Sequence, residues 1–203
     1  MSRVSEIESA VRRKLNTTAN YRVVSGDIYS AINRIQAYLM LETKCVEKVV
    51  TISTVADTES YSIANNDLIT ITSLFTSWDG DIEIVSNAEW PKYRSATASY
   101  PIFATIQANK IYLRPIPTSV LTITLWGYQH SVGTPADASN EPEVPKYCDN
   151  ALIYGVCKEL TSESAIDPQS GLTFYQEFIG QVDLIKRNAT KKYSYNRKPA
   201  RVW

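Results

Sequence analysis

The stretch that decides the fold is VEKVVTISTV, residues 46–55. Ahead of it, apolar residues return every three or four positions; within it, they alternate. SGDIYSAINRIQAYLMLET (25–43) places Ile28, Ile32, Ile35 and Leu39 on one stripe after a Ser-Gly-Asp start, which predicts a helix from about Asp27 to Leu41. From Val46 onward the period is two, the signature of strands with one face buried.

The period of two recurs in ESYSI (59–63), LITITSLF (68–75) and DIEIVS (81–86). PIFATIQANKIYLRPIP (101–117) reads as two strands turned at Ala108-Asn109-Lys110, and SVLTITLWGY (119–128) as a last, long strand. Asp79-Gly80 carries the signal of a type I′ hairpin turn. Residues 46–130 are therefore expected to form a small antiparallel β-sandwich or barrel-like unit.

Helical spacing appears again on both flanks. Val4, Ile7, Val11 and Leu15 predict a short first helix, with Ser5 and Glu8 spaced like a capping box. After SVGTPADASNEPEVP (131–145), a linker by its three prolines, three acids and lack of bases, KYCDNALIYGVCKELTSES (146–164) predicts a third helix. DPQSGLTFYQEFIGQVDLIKRN (167–188) predicts a fourth, with Leu172, Tyr175, Ile179 and Val182 on one row and Phe174, Phe178 and Ile185 beside it. The expected class is α+β. Residues 1–45 and 146–188 make a bundle of about four helices, interrupted by the β unit at 46–130, with a linker at 131–145 and an extended C-terminal arm at 189–203.

Charge is segregated. The chain has 21 basic and 21 acidic side chains, and seven of the basic ones (Lys186, Arg187, Lys191, Lys192, Arg197, Lys198, Arg201) lie from residue 186 onward, where there is no acid. That leaves 14 bases against 21 acids in residues 1–185, so a −7 body carries a +7 tail. A neutral total argues against a domain that binds nucleic acid with its whole surface. The tail also holds Tyr193, Tyr195 and Trp203, rings that a purely solvated tail does not need.

Little of the sequence points to catalysis. The seven glycines never cluster, so no phosphate-cradling loop or dinucleotide fingerprint exists for ATP, GTP or NAD. His130 is the single histidine, and Cys45, Cys148 and Cys157 are scattered, so neither a metal site nor a disulfide framework is indicated. Asp79, Asp81 and Glu83 read as a turn residue and a solvated strand face rather than a carboxylate pair, and Glu159 and Glu163 as water-facing helix positions. No cofactor and no catalytic residue is expected. No apolar run approaches membrane-spanning length, and MSRVSEIESAVRRKL carries charges where a signal peptide needs its apolar core, so synthesis in a cytoplasm is expected.

The order of segments resembles a known family. IYSAINRIQAYLM, TESYSIANND, NKIYLRPIPTSVLTITLWGYQHSV, EVPKYCDNALIYGVCKEL and FYQEFIGQVDLIKR are similar to the head-to-tail adaptor, or connector, proteins of tailed bacteriophages. The pattern is carried by Ile111, Leu113, Pro115 and Pro117, then Tyr128, then Val144-Pro145-Lys146-Tyr147, and finally Phe174 or Tyr175 with Phe178, over residues 25–188. The resemblance implies a non-enzymatic virion protein at the head-to-tail junction, in a ring that in the family most often has twelve copies. Its partners would be the portal protein, neighbouring adaptor subunits and a tail or nozzle protein, with DNA passing through the channel. On that reading Tyr193, Tyr195, Arg197, Lys198, Arg201 and Trp203 bind the portal or a neighbouring copy. The alternatives are a nucleic-acid accessory protein using the same basic aromatic tail and, third, a tail-associated cell-wall hydrolase.

Overall fold

The computed structural model describes residues 2–16, 23–64, 67–76, 80–94, 100–131, 139–164 and 168–196, with the side chains of 162–169 and 190–196 outside that description. The chain divides into two compact units, Met1–Val46 with Ser131–Trp203, and Glu47–His130. The class is α+β, with four helices and one curled seven-stranded mixed sheet among the described residues.

The first unit holds α1 (Arg3–Lys14), α2 (Ser25–Thr43), α3 (Asp149–Ser164) and α4 (Pro168–Asn196). Each buries one stripe: Val4, Ile7 and Val11; Ile28, Ile32, Ile35 and Leu39; Leu152, Val156 and Leu160; Phe178, Val182 and Ile185. A fully buried aliphatic side chain of this kind contributes about 1.5–3 kcal/mol relative to exposure, so these stripes hold together helices that have little stability alone. The helix α3 touches all three others. It can do so because Gly155 lets Ile35 of α2 and Phe178 of α4 close on its backbone.

Two helix ends depart from expectation. The N-cap of α1 is Ser2, not Ser5: Ser2 has extended backbone angles, and its Oγ accepts from the Ser5 N–H at 3.3 Å. Val4 is fully buried with Ile7 and Val11, and a start at Ser5 would put it outside the helix. At the other end, α4 runs to Asn196, so residues 189–196 are not an extended arm. The apolar stripe stops at Ile185, but Ala189, Lys191 and Lys192 are good helix formers and no Gly or Pro occurs between Gly180 and Pro199. A backbone helix outlasts its apolar stripe when nothing in the sequence breaks it.

The second unit holds β1 (Glu47–Ser53), β2 (Ser60–Ser62), β3 (Leu68–Thr76), β4 (Asp81–Ile84), β5 (Phe103–Gln107), β6 (Lys110–Arg114) and β7 (Thr122–Gln129), in the order β1-β7-β3-β4-β5-β6-β2. It is one sheet rather than a sandwich of two, and it is not wholly antiparallel. β4 and β5 run parallel, with Glu83 opposite Phe103 and Ile84 opposite Ala104. The connection between them, 85–102, is long enough for the crossover that a parallel pair needs. Leu74, Ile82, Ala104, Ile111, Leu113, Ile123 and Leu125 form the core on the inner face. β1 and β7 pair with Glu47 opposite Tyr128, so the strand that enters the unit and the strand that leaves it lie side by side.

The type I′ geometry occurs at the other hairpin. Ala108 and Asn109 have φ of 48° and 58° between Gln107 and Lys110, the positive pair such a turn requires. Gly80 has no positive φ, and Asp79 lies outside the described residues. The β3–β4 hairpin is one residue longer. The Thr76 N–H donates to the Gly80 carbonyl at 2.9 Å, and the Gly80 N–H donates to Thr76 Oγ1 at 3.3 Å.

Candidate interaction surfaces

The residues with potential chemistry are dispersed or committed elsewhere. His130 is exposed at the end of β7, its N–H donating to the Asp67 carbonyl at 2.6 Å. Asp81 and Glu83 are exposed on β4 with Ile82 buried between them. Glu159 does not face water. Its side chain is mostly buried and accepts from Arg34 Nε of α2, because α2 lies against that side of α3. The side chain of Glu163 lies outside the described residues. Among the described residues no group of three or more His, Cys, Asp or Glu side chains is placed to hold a metal ion, and no helix is long and apolar enough to cross a membrane.

Partly buried polar clasps fasten α1 to its surroundings. Glu8 Oε1 accepts from Arg12 Nη2 at 2.8 Å and from the Ser25 hydroxyl at 2.7 Å, while Oε2 accepts from Tyr29 at 2.7 Å. Burial pushes the Glu8 carboxyl up, but the hydrogen bonds from Ser25, Tyr29 and Arg12 together outweigh it and hold the group below its ordinary range. Tyr29 is raised in turn, first by donating to that carboxylate. Arg3 donates to Asp149 and, at 2.7 Å, to the Val144 carbonyl, while its N–H reaches Glu141 at 3.0 Å. The Glu143 N–H donates to Gln36 Oε1 at 2.7 Å. Residues 141–144 are thereby tied to α1 and α2.

All three thiols are free, with Cys148 and Cys157 buried. A hydrogen bond from Cys148 brings Cys45 down to about 7, and the same bond together with burial pushes Cys148 up. Burial alone pushes Cys157 up to about 12.

What remains is exposed apolar surface. On the sheet, Val49 and Trp126 are direct cross-strand partners, and each is about half exposed, at 53% and 46%. Phe75 meets the Trp126 ring edge-on at 6.4 Å, and Thr51 and Thr124 continue the same face. On the helical unit, Leu172, Tyr175 and Leu184 of α4 are exposed, as are Tyr38 and Leu41 of α2 and Tyr147. Large half-exposed rings surrounded by polar residues are the composition of protein–protein contacts. Sequence reasoning passed over Trp126, although the signal was there. In TITLWGY it shares a side of the strand with Thr122 and Thr124, an aromatic on the polar face.

Of the residues assigned by sequence to partner binding, Tyr193 and Tyr195 fall in the backbone of α4 with side chains outside the described residues. Arg197, Lys198, Arg201 and Trp203 lie outside the described residues altogether. A family model described as SU10 adaptor protein matches residues 2–202. No curated protein matches the chain.

Proposed function

Because the chain belongs to the SU10 adaptor protein family, a phage head-to-tail adaptor family of structural proteins, we propose that it is a virion component that forms a ring between portal and tail. DNA passes through the ring without sequence-specific binding, and the protein catalyses nothing. The observation that carries this reading is the extent of the match, residues 2–202, which takes in both compact units and nearly all of the basic tail. The exposed apolar faces support it. Identical subunits in a ring meet through unlike surfaces, and the chain offers an aromatic-topped sheet face on one unit and exposed apolar side chains on α4 of the other.

In the proposed assembly residues 1–45 and 146–188 act as a helical bundle, 46–130 as an appended β domain and 131–145 as their connection. Residues 189–203 make the contact with the portal or a neighbouring copy. Tyr193, Tyr195 and Trp203 are its anchors, and Arg197, Lys198 and Arg201 pair with acids around them. The test is to mix purified protein with rings of the portal and image the product by electron microscopy, with the 189–203 deletion alongside. Rings on the portal for the intact chain, and none for the deletion, support the proposal. A truncated chain that joins portals as well as the intact one refutes the role of the tail. Normal attachment with lost DNA binding favours the nucleic-acid reading instead.

A further inference from the structure

The outer face of the sheet is covered at one end and open at the other. Tyr93 packs on Phe103 of β5 with ring centroids 4.1 Å apart, and Arg114 of β6, directly opposite Phe103, lies against the Trp90 ring. The connection 85–102 thus shields β5 and β6. Over β1, β7 and β4 the side chains of Val49, Trp126, Asp81 and Glu83 stay exposed. Register and ring contact put them on one surface: Val49 is opposite Trp126, Phe75 is opposite Asp81 and meets the Trp126 ring edge-on, and Glu83 follows two residues along β4. That surface is acidic as well as aromatic. Lys48 is the only base in β1, β3, β4 and β7, and it pairs with Asp67 at 3.3 Å. Asp81 and Glu83 enter no ion pair among the described residues.

We propose that this face receives residues 197–203, RKPARVW, of a second copy of the chain. The inference rests on the reading of residues 189–203 as a docking segment, and it names the receptor. The two sides match in charge and in apolar character: Arg197, Lys198 and Arg201 answer Asp81 and Glu83, while Pro199 and Trp203 answer Trp126, Phe75 and Val49. Pro199 disfavours helical angles at Lys198, and in an extended chain Arg197, Pro199, Arg201 and Trp203 share one side. Asp81 and Trp126 stand two strands apart, about 10 Å across the sheet. Alternate residues of an extended segment, carrying the long side chains of Arg and Trp, span that. Exposed Trp126 also offers a ring face to a guanidinium. The two acids that attract the segment repel nucleic acid. One tail and one face per subunit are unlike surfaces, so the contact passes from copy to copy and closes a ring, and a contact this small holds when many act together.

The experiment is an NMR titration of the full ¹⁵N-labelled chain with an excess of unlabelled peptide of residues 193–203, following the Trp126 indole and the amides of Val49 and Thr124. Saturable shifts centred on that face are expected. They should weaken by about tenfold or more in Asp81→Lys/Glu83→Lys and return with a peptide carrying Arg197→Glu and Arg201→Glu. Both acids are exposed, so the variant keeps the fold, and unshifted signals elsewhere check this. A Trp203→Ala peptide should bind the unaltered chain more weakly, a test that leaves the receptor untouched. Binding that survives the charge reversal, or a scrambled peptide of the same composition that binds as tightly, overturns the proposal. So does a Trp126 signal that moves in the dilute chain when residues 197–203 are removed, since the tail then lies on its own copy. If attachment to portal rings still needs residues 189–203 while the peptide leaves this face unchanged, the inference fails and the docking reading stands.

Discussion

Gly127 sits in the middle of β7, and replacing it with alanine tests how β3 is held. A Cβ at that position would lie 2.3 Å from the Thr70 carbonyl oxygen and 3.3 Å from both Ile71 Cα and Leu68 Cδ2. The first contact is with backbone, so no side chain can swing away to relieve it, and even a 3.0 Å approach requires β3 to retreat by about 0.7 Å. Thr70 stands between two register irregularities, Leu68/Thr70 and Ile71/Ser73. These bulges press the β3 backbone inward at the one point where β7 has no side chain. Retreat there would break about two or three ladder hydrogen bonds at roughly 1 kcal/mol each and loosen the packing of Leu68. Gly127→Ala is therefore expected to cost the β unit about 3–4 kcal/mol, against a gain of under about 1 kcal/mol from lower chain entropy. Urea unfolding followed by tryptophan fluorescence reads this unit selectively, since Trp78, Trp90 and Trp126 all lie within it and only Trp203 does not. A loss below about 1 kcal/mol, with the β3–β7 cross-strand contacts intact by NMR, would refute the reasoning.

Gly155→Ala should be milder: the new Cβ meets Ile35 Cγ2 at 2.7 Å and Phe178 Cε2 at 2.9 Å, side-chain atoms that yield in part. About 1 kcal/mol of helix propensity then offsets overpacking of about 1–3 kcal/mol, and thermal melting should show a net drop of a few degrees. Glu8→Gln should lose about 2 kcal/mol at neutral pH. The Glu8 carboxyl is held below 4.5 in the folded chain, so its contribution is complete above that value and fades as pH falls through the folded one. The gap between wild type and variant should close as pH falls through the lowered folded value, and a gap that stays constant until both chains acid-unfold would count against the clasp. Cys45, brought to about 7 by its bond from Cys148, should alkylate with iodoacetamide well before Cys157, held near 12. Mass spectrometry of the modified peptides decides it, and equal rates would contradict the assignment.

The sequence alone determined the α+β class, because the switch of apolar period at Val46 records which faces are buried. It located the turn of PIFATIQANKIYLRPIP at Ala108-Asn109-Lys110 and the stripe of α2, since each depends on residues within one or two turns of each other, but of the row read for α4 Leu172 and Tyr175 are exposed and the buried side chains are Val182 with Phe178 and Ile185. It misplaced the N-cap of α1 and the type I′ turn for a related reason. Ser5 is a residue type that caps helices and Gly80 one that allows a positive φ, but a cap or turn is fixed by backbone angles that burial of Val4 and the Thr76 hydroxyl decide.

Only the tertiary structure decided which strands are neighbours and what faces what. A period of two says that Ile82 and Leu125 are buried, not that both flank Leu74, and it cannot show that β4 and β5 run parallel. Glu159 reads as a solvated helix position until α2 brings Arg34 to it. Trp126 gains its meaning from Val49 and Phe75, on strands far away in the chain. Asp81 and Glu83 read as a solvated strand face until β3 sets Phe75 beside Asp81 and, through it, Trp126. Periodicity is a record of solvent exposure along one element, whereas pairing, charge compensation and composite surfaces are settled between elements, where the chain has folded back on itself.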